Sequence, residues 1–364
     1  MRILQISSAR AFGGGERHFA DLARGLRQRG HEVFAALAPD SPLAEKLKEL
    51  PTGNILKLPL RNALDIKSAL RLAKLARERE VDVIHAHVAR DYTLAAFAAR
   101  RCPRARLVIT RHVLFPLGRG HRLALRGVAR VIAVSGAVES ALLARKIFPA
   151  DKIRVVHNGV DVRRFAASRR TEPRGGPLRV GIVGELSPVK GQEDFVRAAA
   201  LVSKEFAGEV EFVVVGEDAT RAGERRATIE SLVAQLGLAG RVKMEGHRDD
   251  VSEMLTTFDV FVSASRSEAF GVAIVEAMAA GVPVVSTATE GALEIIEEGV
   301  TGLTVPVGDV ASLASAVRSL LEDARLRASL GAEGARTAGE RFSIERMVEE
   351  TERVYAEALK HFGP

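Results

Sequence analysis

The sequence predicts an α/β protein made of two doubly wound domains. Three observations predict it. Short apolar runs alternate with helical patterns along nearly the whole chain, which implies right-handed βαβ units and mostly parallel sheets. The alternation comes in two similar series, separated by residues 166–177, a stretch with Pro, Gly and no periodicity. The 364 residues give room for two domains of ordinary size.

The elements follow in order. Residues 3–6, Ile-Leu-Gln-Ile, are an apolar run too short for a helix and predict the first strand. A glycine-rich loop precedes a helical pattern over 15–29. Residues 33–37 predict a second strand and 55–58 a weaker third. Helical spacing returns over 65–79. Strands are then expected at 81–85, 107–110, 131–134 and 153–156. The second series places strands at 178–183, 210–215, 242–245, 260–263, 282–286 and 302–305, with helices between them. The expected organisation is a first domain over 1–165, a linker over 166–177 and a second domain over 178–342. A last helix spans about 343–360.

Composition supports a globular protein: 47% of residues are apolar and 27% charged. Cys102 is the only cysteine, so no intrachain disulfide can form, which fits a reducing compartment. The first eight residues predict a strand and not a secretion signal. No run of about 18 apolar residues lacks charge, so a transmembrane helix is not expected. The formal charge of +7 hides a strong polarity. Residues 1–165 carry 31 Lys/Arg against 14 Asp/Glu, a net +17; the remainder carries 22 against 32, a net −10. A basic half calls for an anionic partner: a membrane surface, a phosphorylated acceptor or a nucleic acid. With two Tyr, no Trp and no nucleic-acid-binding motif, the nucleic acid is set aside.

The most informative stretch is Ser-Glu-Ala-Phe-Gly-Val-Ala-Ile-Val-Glu-Ala-Met-Ala-Ala-Gly-Val-Pro-Val-Val, residues 267–285. It predicts a loop, an amphipathic helix, a Gly-Pro turn and a buried strand. Glu268 lies on the loop and Glu276 inside the helix. Phe270, Gly271 and Val272 fall where backbone N–H groups have no intrahelical acceptor, so they can bind an anion. Two carboxylates around free amides suit a ligand with both hydroxyls and phosphate, such as a sugar nucleotide. Two further loops suit phosphate. Ala11-Phe12-Gly13-Gly14-Gly15-Glu16-Arg17-His18 joins a strand to a helix, where Gly14 and Gly15 permit close backbone approach. It is not Gly-x-Gly-x-x-Gly and does not support dinucleotide binding. Gly181-Ile182-Val183-Gly184-Glu185-Leu186-Ser187-Pro188-Val189-Lys190-Gly191 sets Lys190 at a helix start, where a cation can neutralise a departing diphosphate.

These motifs resemble the Glu-x7-Glu signature, the Gly-Gly-x-Glu loop and the Lys-Gly loop of glycosyltransferase family 4. The likeness runs over nearly the whole chain and is strongest at 178–191 and 259–305. It implies the GT-B fold, two Rossmann-like domains facing a central cleft, with the last helix crossing back onto the first domain. It implies a retaining enzyme that moves a sugar from a nucleoside-diphosphate sugar to a glycan or lipid-linked acceptor, in bacterial surface polysaccharide or glycolipid assembly. By the same resemblance, Lys190 and the amides of Phe270, Gly271 and Val272, with Gly14 and Gly15, hold the diphosphate. Glu268 lies against the sugar hydroxyls, Glu276 holds the ribose, and His112 stands beside the reacting sugar. Gly246 and Arg248, in the loop after the 242–245 strand, lie near the base. Asn158, in a turn resembling the family's Asn-Gly-Val-Asp, takes a structural or a ligand-contacting role.

One departure stands out. The family places an Arg where this chain has Glu185, which removes a cation from the diphosphate site. Arg17, Arg111 and Arg221 are the candidate substitutes, or Glu185 turns away. No Asp-x-Asp triad is present, so no metal and no organic cofactor are expected. His85 and His87 point to one strand face, but no third ligand is evident from the sequence. Arg119, Arg122, Arg126 and Arg130, spaced 3, 4 and 4, would form one basic stripe on a helix after the apolar loop 113–117. A solvated face, an acceptor site and docking to anionic lipid are all open, the last giving a cytoplasmic protein peripheral to the inner membrane face. Competing functions are a sugar-nucleotide epimerase of the same fold, or a degenerate carbohydrate- or membrane-binding protein.

Overall fold

The computed structural model describes residues 1–118, 120–168, 175–220 and 222–360. The chain forms two compact units: residues 1–159 with 344–364, and residues 160–343. The Pro/Gly stretch 166–177 therefore lies inside the second unit and not between the two, and its residues 169–174 are outside the described ones. The reason is local. Asp161 caps a helix, Val162–Ala167, by accepting from the Arg164 amide, and this helix packs within the second unit and takes in the first two residues of the stretch.

The first unit holds seven parallel strands. They are β1 (Arg2–Ser7), β2 (Glu32–Leu37), β3 (Ile55–Lys57), β4 (Val83–Ala86), β5 (Arg106–Arg111), β6 (Arg130–Ala133) and β7 (Ile153–Val155). Their order is β3-β2-β1-β4-β5-β6-β7. The second unit holds β8 (Leu178–Val183), β9 (Val210–Val215), β10 (Val242–Gly246), β11 (Val260–Ser263), β12 (Val284–Thr287) and β13 (Leu303–Val305), also parallel, in the order β10-β9-β8-β11-β12-β13. Central strands are apolar on both faces, as expected for sheets covered by helices. Ile3, Leu4 and Ile6 of β1 are fully buried, as are Val260 and Val262 of β11.

Two strands start two residues later than their apolar runs predict, for one reason. The Val81 amide donates to the Ala76 carbonyl and the Val282 amide to the Ala277 carbonyl. Both valines thus finish the preceding helix, and β4 and β12 begin two residues on.

The last helix, Ile344–Lys360, belongs to the first unit and packs on the helix Gly14–Gln28. Glu352 pairs with Arg29 and His31, and Glu357 with Arg130 and Arg154. Burial alone would raise the Glu357 carboxyl pKa, but Arg130 and Arg154 hold it below the usual range. Arg130 is therefore not part of a helical basic stripe. It opens β6, is almost fully buried, and is neutralised by Glu357. Only His121–Ala124 is helical in the predicted stripe, and Arg119 lies outside the described residues. Arg122 and Arg126 remain exposed.

Candidate functional site

In an open α/β sheet, ligands bind beyond the C-terminal strand ends, where the strand order reverses. In the second unit that point lies between β8 and β11, and the loops after these strands carry Lys190 and Glu268. The structure brings them together: Lys190 Nζ lies 2.5 Å from Glu268 Oε1. Ser265 donates to the same carboxylate oxygen at 2.9 Å. The two loops also meet through backbone, with the Arg266 amide donating to the Val189 carbonyl at 2.7 Å. Gly191 makes this approach possible. It sits at φ 69°, and a Cβ there would lie 2.0 Å from the Ala264 carbonyl oxygen.

The predicted helix start is present. Gly271, at φ 111°, is the N-cap of Val272–Ala279, so the Gly271 and Val272 amides open the helix. Phe270 precedes the cap and is buried, its ring 5.6 Å from that of Phe342. A small pocket beside the helix start is lined by Lys190, Ser263, Ser265, Glu268, Gly271 and Ala273, among others. Glu276 lies within the helix and is buried. Gly291 was not singled out from the sequence, yet it positions the whole loop. A Cβ there would lie 2.6 Å from the Glu268 carbonyl oxygen and 2.8 Å from that of Phe270.

Gly246 ends β10 at φ 71°, and its carbonyl accepts from the Gly216 amide at 2.8 Å. Arg248 is held by a bidentate pair with Asp250, at 2.8 and 2.6 Å. Glu185 is exposed and makes no ion pair among the described residues; Gln192 Nε2 donates to its carbonyl at 2.9 Å. Of the cations considered as substitutes for the missing Arg, Arg111 is committed elsewhere. It is buried, with its guanidinium donating to the Phe115 carbonyl. Arg221 lies outside the described residues. Arg17 sits in the first turn of the helix Gly14–Gln28.

In the first unit the order reverses between β1 and β4. Here too the loops are tied: the Ser8 amide donates to Asp91 Oδ2 at 2.7 Å. Burial raises the Asp91 carboxyl pKa to about 6. Gly14 starts the helix, and Glu16 reaches back to accept from the Gly13 amide at 3.0 Å. Gly15 lies against His112: a Cβ there would sit 3.6 Å from the imidazole. His112 does not stand alone. Its ring centroid is 4.8 Å from that of His18 and 5.7 Å from that of His87, which in turn lies 4.1 Å from that of His85. Burial lowers the pKa of all four, that of His18 to about 4, so all are neutral at pH 7. Asn158 is buried, and its side chain interacts weakly with His18, which partly offsets the lowering of the His18 pKa by burial. The sequence singled out His112 and the pair His85 and His87 separately; that these and His18 come together is not legible there, because the segments lie far apart in sequence.

On the surface of the first unit, Phe115 and Leu123 are 76% and 77% exposed; Arg100 and Arg126 line a shallow depression with Leu123, and Arg122 is exposed. Among the described residues no helix is long and apolar enough to cross a membrane.

Comparison with known proteins agrees with this architecture. Residues 164–337 match the model of glycosyl transferases group 1, and residues 12–164 the model of glycosyltransferase family 4. A D-inositol 3-phosphate glycosyltransferase of Salinispora arenicola is 31% identical, over 80% of this chain and 67% of that protein. The N-acetyl-alpha-D-glucosaminyl L-malate synthase of Bacillus anthracis is 27% identical over 93% of each. The crystal structure of HepE from Anabaena in complex with UDP and glucose aligns with a TM-score of 0.83 and 25% identity, covering 98% of this chain and 99% of that one. Two parallel Rossmann-like units, matched to a glycosyltransferase 31% identical over 80% of this chain and to the HepE structure over 98% of it, place this chain among the glycosyltransferases of GT-B fold.

Proposed function

We propose that the enzyme is a retaining transferase of family 4 that takes a uridine-diphosphate sugar as donor and a glycan or lipid-linked acceptor. The observation that carries the reading is the Lys190–Glu268 pair at the strand-order reversal of the second sheet, beside the helix start at Gly271. A cation and oriented amides there can stabilise a diphosphate as its bond to the sugar breaks. Donor binding moves Lys190 from the carboxylate to the phosphate, which frees Glu268 for sugar hydroxyls. Glu276 takes the ribose, and Gly246 and Arg248 border the base. In the first unit, Gly14 and Gly15 allow the backbone to approach the diphosphate, and His112 is the sugar-side residue. A neutral His112 is able to accept or donate a hydrogen bond to a hydroxyl. The leaving phosphate itself takes the acceptor proton in a front-face transfer, so no protein nucleophile is needed. UDP in the HepE complex supports the choice of base.

The charge is supplied by Lys190 and amides, so the transfer needs no metal. Relatives such as the lipopolysaccharide core glycosyltransferase LpsE of Rhizobium meliloti, 28% identical, support surface polysaccharide assembly as the setting. Exposed Phe115 and Leu123 with Arg100, Arg122 and Arg126 support peripheral contact with anionic lipid on the cytoplasmic side.

Incubation with a panel of nucleotide sugars tests the reading. Slow release of nucleotide from one donor is expected, reduced about 10²–10³-fold by Lys190→Ala and unchanged by EDTA. Isomerisation of the donor would indicate an epimerase, and no turnover with any donor and acceptor a binding protein. Product NMR showing an inverted anomeric centre would overturn retention.

A further inference from the structure

We propose that His18, His87 and His112 of the first unit form a binding site for one borderline divalent cation of the zinc and cobalt class. Each offers one ring nitrogen, and these atoms lie within 4.8 Å of one another. The residues come from the helix Gly14–Gln28, the segment after β4 and the segment after β5, so the fold gathers them from three places.

The hydrogen-bond pattern singles out these three from the four neighbouring histidines. His85 uses both ring nitrogens, Nδ1 with Tyr355 Oη at 2.6 Å and Nε2 with Thr110 Oγ1 at 2.7 Å. The others do not. Nε2 of His87 and Nδ1 of His112 are buried without a partner, and of the two buried His18 nitrogens one has the Asn158 side chain as a weak partner. The remaining contact, His87 Nδ1 to His112 Nε2, is long at 3.4 Å. Unpaired buried polar groups are costly, so three such atoms in one place, one on each ring, require an explanation. A cation bound by one nitrogen from each ring supplies it.

The ligand chemistry agrees. Burial keeps these imidazoles neutral at pH 7, which is the ligating form, so binding displaces no proton. An all-nitrogen set favours zinc, cobalt, nickel or copper and disfavours magnesium and calcium, which take oxygen ligands. Zinc–nitrogen bonds of about 2.0–2.1 Å require the three nitrogens to close by about 1.5 Å, within reach of side-chain rotation. His85, held by Tyr355 and Thr110, packs on His87 and limits its movement. Partial exposure of His112 provides an entry path. Metal binding stands apart from the proposed transfer reaction. Its consequence rests on that reading: an ion on His112 withdraws the imidazole from the sugar, so zinc inhibits while magnesium does not.

The test is titration of the full-length, EDTA-treated and dialysed protein with Co²⁺. One equivalent should bind and give the visible d–d bands of a low-coordinate nitrogen site. His18→Gln and His87→Ala should each weaken binding by about 10–100-fold, while His247→Ala, at an exposed position, should not. Anomalous diffraction from cobalt-soaked wild-type crystals gives a readout that needs no variant. A peak among the three rings supports the site. Absence of d–d bands, equal binding by all variants, or a peak elsewhere overturns it.

Discussion

Replacing Gly291 with alanine should cripple the enzyme although the residue bears no side chain. The added methyl would lie 2.6 Å from the Glu268 carbonyl oxygen, 2.8 Å from the Phe270 carbonyl oxygen and 2.9 Å from the Phe270 nitrogen. Ordinary contact at about 3.4–3.5 Å requires shifts of about 0.5–0.9 Å. The obstructing atoms are backbone, so no side-chain rotation relieves the clash. Overpacking of this kind costs roughly 1–3 kcal/mol, which in a unit of this size lowers Tm by about 2–12 °C. The larger effect is on catalysis. The displaced segment carries Glu268 and leads into the helix start at Gly271, and a displacement near 1 Å costs about 10²-fold in rate. Gly175→Ala is the control, since nothing lies within 4 Å of its added methyl. Donor turnover and thermal melting of both variants decide the matter. A Gly291→Ala enzyme with unchanged kcat and Tm would refute the claim that this glycine sets the loop.

Glu268→Ala and Glu276→Ala should differ: the first should mainly lower kcat and the second mainly raise KM for the donor, read by steady-state kinetics. Glu185→Arg should leave nucleoside-diphosphate affinity equal or better in a calorimetric titration, because Glu185 makes no ion pair among the described residues; a collapse of affinity would show that it has acquired its own role. Acid should destabilise the first unit between pH 6.5 and 4. The folded pKa of His18 is depressed, so the unfolded chain binds the proton first and stability falls as pH drops through this window. From its value of about 4, His18 alone should cost about 2 kcal/mol at pH 5; His85, His87 and His112 act in the same direction, while Asp91, raised to about 6, offsets about 1 kcal/mol. Urea unfolding at pH 7.5 and 5 checks this, and equal stability at the two values would sink it.

The second sheet was more legible in the sequence than the surface. Strands such as β8, β9 and β11 are buried on both faces, so they appear as unbroken apolar runs with turn residues at their ends. Charge spacing is a poorer guide. Arg126 and Arg130 are four apart, as on one helix face, yet the Ala129 amide already donates to the Leu107 carbonyl. That bond begins β6 and carries Arg130 inward to Glu357, so a periodicity that crosses an element boundary loses its meaning. Gly291 escaped notice because its importance lies in what its missing Cβ would strike, a tertiary fact with no local signature.

The two candidate sites differ in the same way. Lys190 and Glu268 each sit in a recognisable loop after a strand, and parallel winding alone places such loops together once β8 and β11 are neighbours. The histidine cluster has no comparable signal. Two-residue spacing finds His85 and His87, but His112 joins them only because β4 and β5 pair, with His85 opposite Val108. His18 joins because the helix after β1 packs over the same strand ends. The polar atoms left unpaired there became visible only after every neighbour had been placed: His85 is satisfied by Tyr355 and Thr110, whereas His18 has only Asn158 as a weak partner. Buried orphan nitrogens in a ring of neutral imidazoles are therefore the part of this protein that its sequence conceals and its fold exposes, and they are where a ligand has most to gain.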